Sequence, residues 1–173
     1  MACEGDLTQE QGVKTNDKKS NLKSYMSQSR ICDVINQQKL IETFNVKSKL
    51  QIKPHETNGN FNCSYFWNLP DEVVLSRLQL MTELKNSGST DKSLIKRLRY
   101  GSGEVSVLLI KSSRKTSNFV PTSLDVLQFQ EYHSLGFHNV YTKGFEVYIS
   151  VRFADTLAED NEHAKTVYQL LNH

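Results

Sequence analysis

Phe145-Glu146-Val147-Tyr148-Ile149-Ser150-Val151-Arg152-Phe153 alternates apolar and polar residues without a break, and that alternation decides the class of fold. Successive side chains of a strand point to opposite faces, so Phe145, Val147, Ile149, Val151 and Phe153 share one face, and Glu146, Tyr148, Ser150 and Arg152 the other. A strand with one apolar face belongs to an antiparallel sheet covered on one side. Lys143-Gly144 before it marks a turn or bulge. After Ala154-Asp155-Thr156 the period changes. From about Glu159 to Leu171, Ala164, Val167, Tyr168 and Leu171 recur at helical spacing behind an acidic front, which predicts a helix with those four inward.

Upstream, Val105 to Ile110 reads as a buried strand, and a further strand falls around Leu124 to Phe129. Ser112 to Asn118 is a polar, basic stretch that reads as a surface tip. Gly101-Ser102-Gly103 leads from a helix into a strand. Phosphate-cradling loops run from strand to helix and continue into Lys-Ser/Thr, so nucleotide binding is rejected here. Asp91 to Arg99 predicts a short helix with Leu94, Ile95 and Leu98 inward and Lys92, Lys96 and Arg99 in water. Leu69-Pro70-Asp71-Glu72 is a helix start, with proline in the first turn and carboxylates at the positive end of the dipole. That helix is expected to run to about Asn86, to bury Val74, Leu75, Leu78, Met81 and Leu84, and to end at Gly88.

Leu40 to Lys53 also alternates: Phe44, Val46, Leu50 and Ile52 against Lys47, Lys49, Gln51 and Lys53. It reads as a half-buried strand whose lysine face discourages edge pairing or extends a basic surface. Asn58-Gly59-Asn60 is a loop. Phe61, Tyr65, Phe66 and Trp67 then read as core, with base stacking as the alternative. The series of strand, two helices, several strands and a final helix, with no βαβ alternation, gives an α+β domain: an antiparallel sheet packed with two to four helices.

The chain has 173 residues, 38% hydrophobic and 23% charged, which suits one globular domain with an extension. Residues 1 to 30 hold few large apolar side chains and read as a disordered, basic and polar arm, leaving 31 to 173 as a single domain. No apolar run approaches the roughly 20 residues that span a bilayer. The N-terminal residues carry neither a secretory core nor a myristoylation glycine, so a cytosolic location is expected. Cys3, Cys32 and Cys63, odd in number and widely spaced, are expected as reduced thiols. The sequon Asn62-Cys63-Ser64 is then a chance match.

Charge is the most uneven property of the chain. Between Lys85 and Lys115 eight cations face two acids, a local net charge of +6 in a protein of net charge +2. Concentrated positive charge attracts anionic lipid or nucleic-acid phosphate; its bland counterpart is a solvated face. Lys92, Lys96, Arg97, Arg99, Lys111, Arg114 and Lys115 form the candidate binding surface, with Lys18, Lys19 and Lys23 of the arm in support. The C-terminal stretch from Ala154 carries −3 and is a candidate to meet the basic block, within one subunit or between two.

Catalytic chemistry finds no foothold. His133 and His138, near Glu131, and His163, after Glu159 and Glu162, make no His-x-x-x-His or Cys-x-x-Cys pair, and Cys63 has only His55 nearby. Neither a metal nor a cofactor is assigned, and the chain is expected not to be an enzyme.

The order of segments resembles that of rhabdovirus matrix proteins, especially the short ones of plant viruses. The resemblance rests on the basic arm, on Leu40 to Leu50, on the helix Leu69 to Asn86, on the basic segment Lys92 to Arg99, and on Phe137 to Ile149, where a Lys-Gly step opens a long strand. It implies a structural protein of the virion, host cytoplasm and cytosolic membrane face. Such a protein self-associates and bridges the nucleocapsid to an anionic membrane during assembly. With only Pro54, Pro70 and Pro121, the chain lacks the proline-rich budding motif of many animal-virus relatives. The alternative is a small accessory protein that binds single-stranded RNA, with Tyr65, Phe66 or Trp67 stacking on bases.

Overall fold

The computed structural model describes residues 22–98, 101–111, 119–121, 127–129, 136–142 and 145–172. Two 3-10 turns, Leu22–Tyr25 and Ile31–Asp33, lead into α1 (Gln37–Thr43) and the hairpin β1 (Gln51–Thr57) and β2 (Asn60–Asn68). Helices α2 (Asp71–Asn86) and α3 (Lys92–Leu98) follow, then β3 (Ser102–Lys111), β4 (Phe119–Pro121), β5 (Leu127–Phe129), β6 (Gly136–Thr142), β7 (Phe145–Arg152) and α4 (Leu157–Gln169). The strands make one antiparallel sheet in the order β1-β2-β3-β7-β6-β5-β4. An α+β protein is the result.

Alternation dictates the core. Opposed residues share a face in an antiparallel pair, so Cys63, Tyr65 and Trp67 of β2, Val105, Val107 and Leu109 of β3, and Val147, Ile149 and Val151 of β7 line one face. All nine are buried. Residues 22–46 cover this face together with Ala164, Val167 and Tyr168 of α4. Local signals fix the elements: Asn36 caps α1 by accepting from the Lys39 amide at 3.1 Å. Asn58 and Gly59 turn the β1–β2 hairpin with positive φ at both positions. Thr156 and Glu159 form a capping box on α4.

Several expectations are corrected. Leu40 to Lys53 is not one strand: α1 takes its first residues, because Leu40, Ile41 and Phe44 also fit helical spacing and Asn36 supplies the cap, and the strand starts only at Gln51. The packed chain begins before residue 31, since Leu22 is 2% exposed within the core; residues 1–21 lie outside the described residues. Cys32 and Cys63 are joined in a disulfide, because the second 3-10 turn folds back onto β2 and brings their Cα atoms to 5.1 Å. The stripe of α2 is exposed at Leu75 and Leu78, 61% and 44%, whereas Arg77 is buried. Glu146, expected in water on the polar face of β7, is buried and accepts from the Tyr148 hydroxyl. Ser112 to Asn118, the turn Lys143-Gly144 and part of the strand expected around Leu124 to Phe129 lie outside the described residues.

Candidate functional site

The candidate site is a surface, and the fold divides it. Ser102 and Lys111 end β3, about 30 Å apart at 3.3 Å per residue. Lys92 and Lys96 are exposed on α3, just before the first end of this strand, and Lys111 is exposed at the other. Lys23 is exposed in the first 3-10 turn. Arg99, Arg114, Lys115, Lys18 and Lys19 lie outside the described residues. Among the described residues, therefore, Lys92 and Lys96 do not share one continuous patch with Lys111.

Arg97 is not part of any exposed surface. It is 8% exposed and donates to Asp160, which is fully buried and also accepts the amides of Phe153 and Ala154 at 3.1 and 2.9 Å. Arg77 makes a second internal tie, with Nε at 2.7 Å from Asp155 and Nη2 donating to the Phe153 carbonyl. One residue of the basic middle, Arg97, meets the acidic end within one chain, and Arg77 of α2 meets it beside that pair, where α2 and α3 join the β7–α4 turn. Each pair removes a cation from the surface and neutralises a carboxylate.

What remains is a different cluster. Ser48 Oγ accepts the Asn68 amide and donates to the Asn68 carbonyl, both at 2.9 Å, which pins the α1–β1 link against the end of β2. Asn68 opposes Ser102, and the Leu69 amide donates to the Gly101 carbonyl at 3.0 Å, so this is the α3 end of the sheet. Lys47 and Lys49 of the link, and Lys92 and Lys96 of α3, are exposed at this end, and none is ion-paired among the described residues; Lys53 of β1, opposite Ser64, lies further along the sheet, level with Ser106. Exposed carboxylates accompany them: Asp71, Glu72 and Asp91, with Asp155 and Glu159 in the β7–α4 turn at the same end. Asp91 Oδ1 accepts the Leu94 amide at 2.9 Å. The lysine-rich alternation before residue 53 was the available signal for this group, although it was read as part of a strand.

The aromatic candidates separate by face. Tyr65 and Trp67 are 0% and 4% exposed on the covered face and are closed to a nucleobase. Tyr65 donates to the Cys32 carbonyl at 3.0 Å, and burial raises its hydroxyl well above the usual phenol range. Trp67 packs on Phe153, centroids 5.1 Å apart, beside Phe44 and the stacked His163. Phe66 alone lies on the outer face, half-buried, with Lys53 Nζ 5.4 Å from its ring centroid. His138 is 7% exposed, edge-on to Tyr168 at 5.5 Å.

Among the described residues no group of three or more His, Cys, Asp or Glu is placed to hold a metal ion, and no helix is long and apolar enough to cross a membrane. No protein-family model, curated protein or solved structure matches the chain.

Proposed function

We propose that the chain is a non-enzymatic matrix protein of the rhabdovirus kind, which self-associates and bridges the viral nucleocapsid to the inner face of an anionic membrane. The observation that carries this reading is the set Lys47, Lys49, Lys92 and Lys96, four exposed lysines at one end of the sheet with no ion-pair partner among the described residues. Each lysine near an anionic leaflet adds on the order of 1 kcal/mol, an attraction that salt removes. The proposed setting is the virion, the host cytoplasm and the cytosolic face of host membranes. The Cys32–Cys63 bond fits the virion stage of that life better than the cytosolic one, where thiols are kept reduced.

Flotation on vesicles containing phosphatidylserine tests the membrane arm. Binding is expected to fall steeply with salt, and to be lost when Lys47, Lys49, Lys92 and Lys96 are changed to Glu, while Lys111→Glu at the far end leaves it intact. Equal binding by all three proteins across the salt series would sink the assignment. The RNA alternative keeps only Phe66 as a stacking residue, and silence of Trp67 fluorescence on adding an oligonucleotide is expected of a ring so deeply buried.

A further inference from the structure

The Cys32–Cys63 bond joins two parts of the protein with very different attachments. Cys63 sits in the middle of β2, fully buried, between Asn62 and Ser64 in unbroken register with β3. Cys32 sits in the second 3-10 turn, half-buried, and lines an open cleft of about 300 Å3 with Asp33, Asn36, Gln38 and Asn172. Apart from the disulfide, the polar ties from this turn to the rest of the fold are few. Tyr65 donates to the Cys32 carbonyl, Asn172 donates to the carbonyls of Val34 and Asp33, both at 2.7 Å, and Ile35 makes one bridge to Leu171. Apolar burial of Leu22, Ile31, Val34, Ile35, Leu40 and Val46, with Phe44 against Phe153, adds to the adhesion.

We infer that the Cys32–Cys63 bond is a thiol-exchange site that latches residues 22–46 onto the sheet, opened by a dithiol reductant attacking at Cys32. The asymmetry of access sets the direction of attack. A thiolate entering the cleft bonds to Cys32 Sγ, the Cys32–Cys63 bond breaks, and the electron pair leaves on Cys63 sulfur, which takes up a proton. The reductant's second thiolate then attacks its own sulfur in the mixed disulfide and displaces Cys32. The products are two cysteine thiols and the oxidised dithiol, a transfer of two electrons. Without the bond, non-covalent contacts alone hold the cap, and its local opening becomes easier than that of the sheet beneath. The inference does not rest on the matrix reading and stands or falls separately.

The test uses the full chain carrying Cys3→Ser, so that the third thiol takes no part. A monothiol, glutathione, is added under limiting conditions and the adducts are mapped by mass spectrometry; the mixed disulfide is expected on Cys32, with Cys63 recovered as a free thiol. Hydrogen exchange is then compared in oxidised and dithiothreitol-reduced protein. The amides of Leu40, Phe44 and Val46, which donate to Asn36, Leu40 and Ile41, are expected to exchange at least about tenfold faster after reduction, while those of β3 and β7 change far less. A Cys32→Ser, Cys63→Ser double variant should show the reduced pattern whether or not dithiothreitol is present. Both cysteines alkylating at once in untreated protein, glutathione settling on Cys63, an unchanged exchange pattern, or acceleration spread evenly over the whole chain would each overturn the latch.

Discussion

Arg97 and Asp160, 63 residues apart in sequence, face each other inside the protein, and their pairing holds α3 to the head of α4. The Asp160 carboxylate is saturated, with a guanidinium on one oxygen and two backbone amides on the other. Removing it strands a buried cation and two amides at once. Loss of one member of a buried pair costs about 3–5 kcal/mol, so Asp160→Ala should lower the urea midpoint severely. Arg97→Met combined with Asp160→Leu removes both charges and should recover part of that loss. A single variant as stable as the parent would mean that the pair is exposed and Arg97 is free to bind anions after all.

Reduction should also be visible in global stability. The bond closes a loop across a sequence separation of 31 residues, and the chain-entropy estimate for such a loop is about 3–4 kcal/mol. Urea titration with and without dithiothreitol should show a drop of that order, and the Cys63→Ser variant should be indifferent to reductant. An unchanged midpoint in the parent would mean that the bond is absent in solution.

Gly103 opposes Trp67 across β2 and β3, and the indole occupies the space where a side chain would project. A Cβ at Gly103 would lie 2.6 Å from Trp67 Nε1, closer than atoms tolerate, against a buried ring. Gly103→Ala should therefore cost about 1–3 kcal/mol by overpacking, and it should shift Trp67 emission because the ring must move. Gly101→Ala is the control: its nearest neighbour is the Val74 side chain at 3.9 Å, and little change is expected.

The sheet was legible where periodicity was unambiguous. Val147, Ile149 and Val151, and the inward set of α4, lie where alternation and helical spacing put them, because burial of one face is what those periods encode. Leu40 to Phe44 was misread because a few apolar residues satisfy both periods, and the Asn36 cap that decides between them precedes the pattern. The candidate surface was legible only as composition. Charge per segment says nothing of where a strand carries its two ends, so Lys92 and Lys111 looked adjacent while β3 holds them at opposite ends, and Lys47 and Lys49 joined the cluster only through the seat of Ser48 on Asn68. Arg97 and Cys32 were misassigned for a related reason: their partners are 63 and 31 residues away, and no local pattern encodes such a meeting.

His138 gives the fold a stability that depends on pH. On β6, beneath Tyr168 of α4, its pKa is lowered from 6.5 to about 4, chiefly by burial and also by the Lys165 ammonium, with the Glu162 carboxylate opposing. The unfolded chain therefore binds a proton at higher pH than the folded one. Above pH 6.5 the imidazole is neutral in both states and folding bears no penalty. As pH falls from about 6.5 towards 4, the unfolded state gains the proton first and stability declines, by about 3 kcal/mol in all for this one group. Urea midpoints measured at constant ionic strength between pH 7.5 and 4 should show that decline, and His138→Gln should flatten the part of it that lies between 6.5 and 4. An identical slope in parent and variant would show that the ring reaches water and titrates normally.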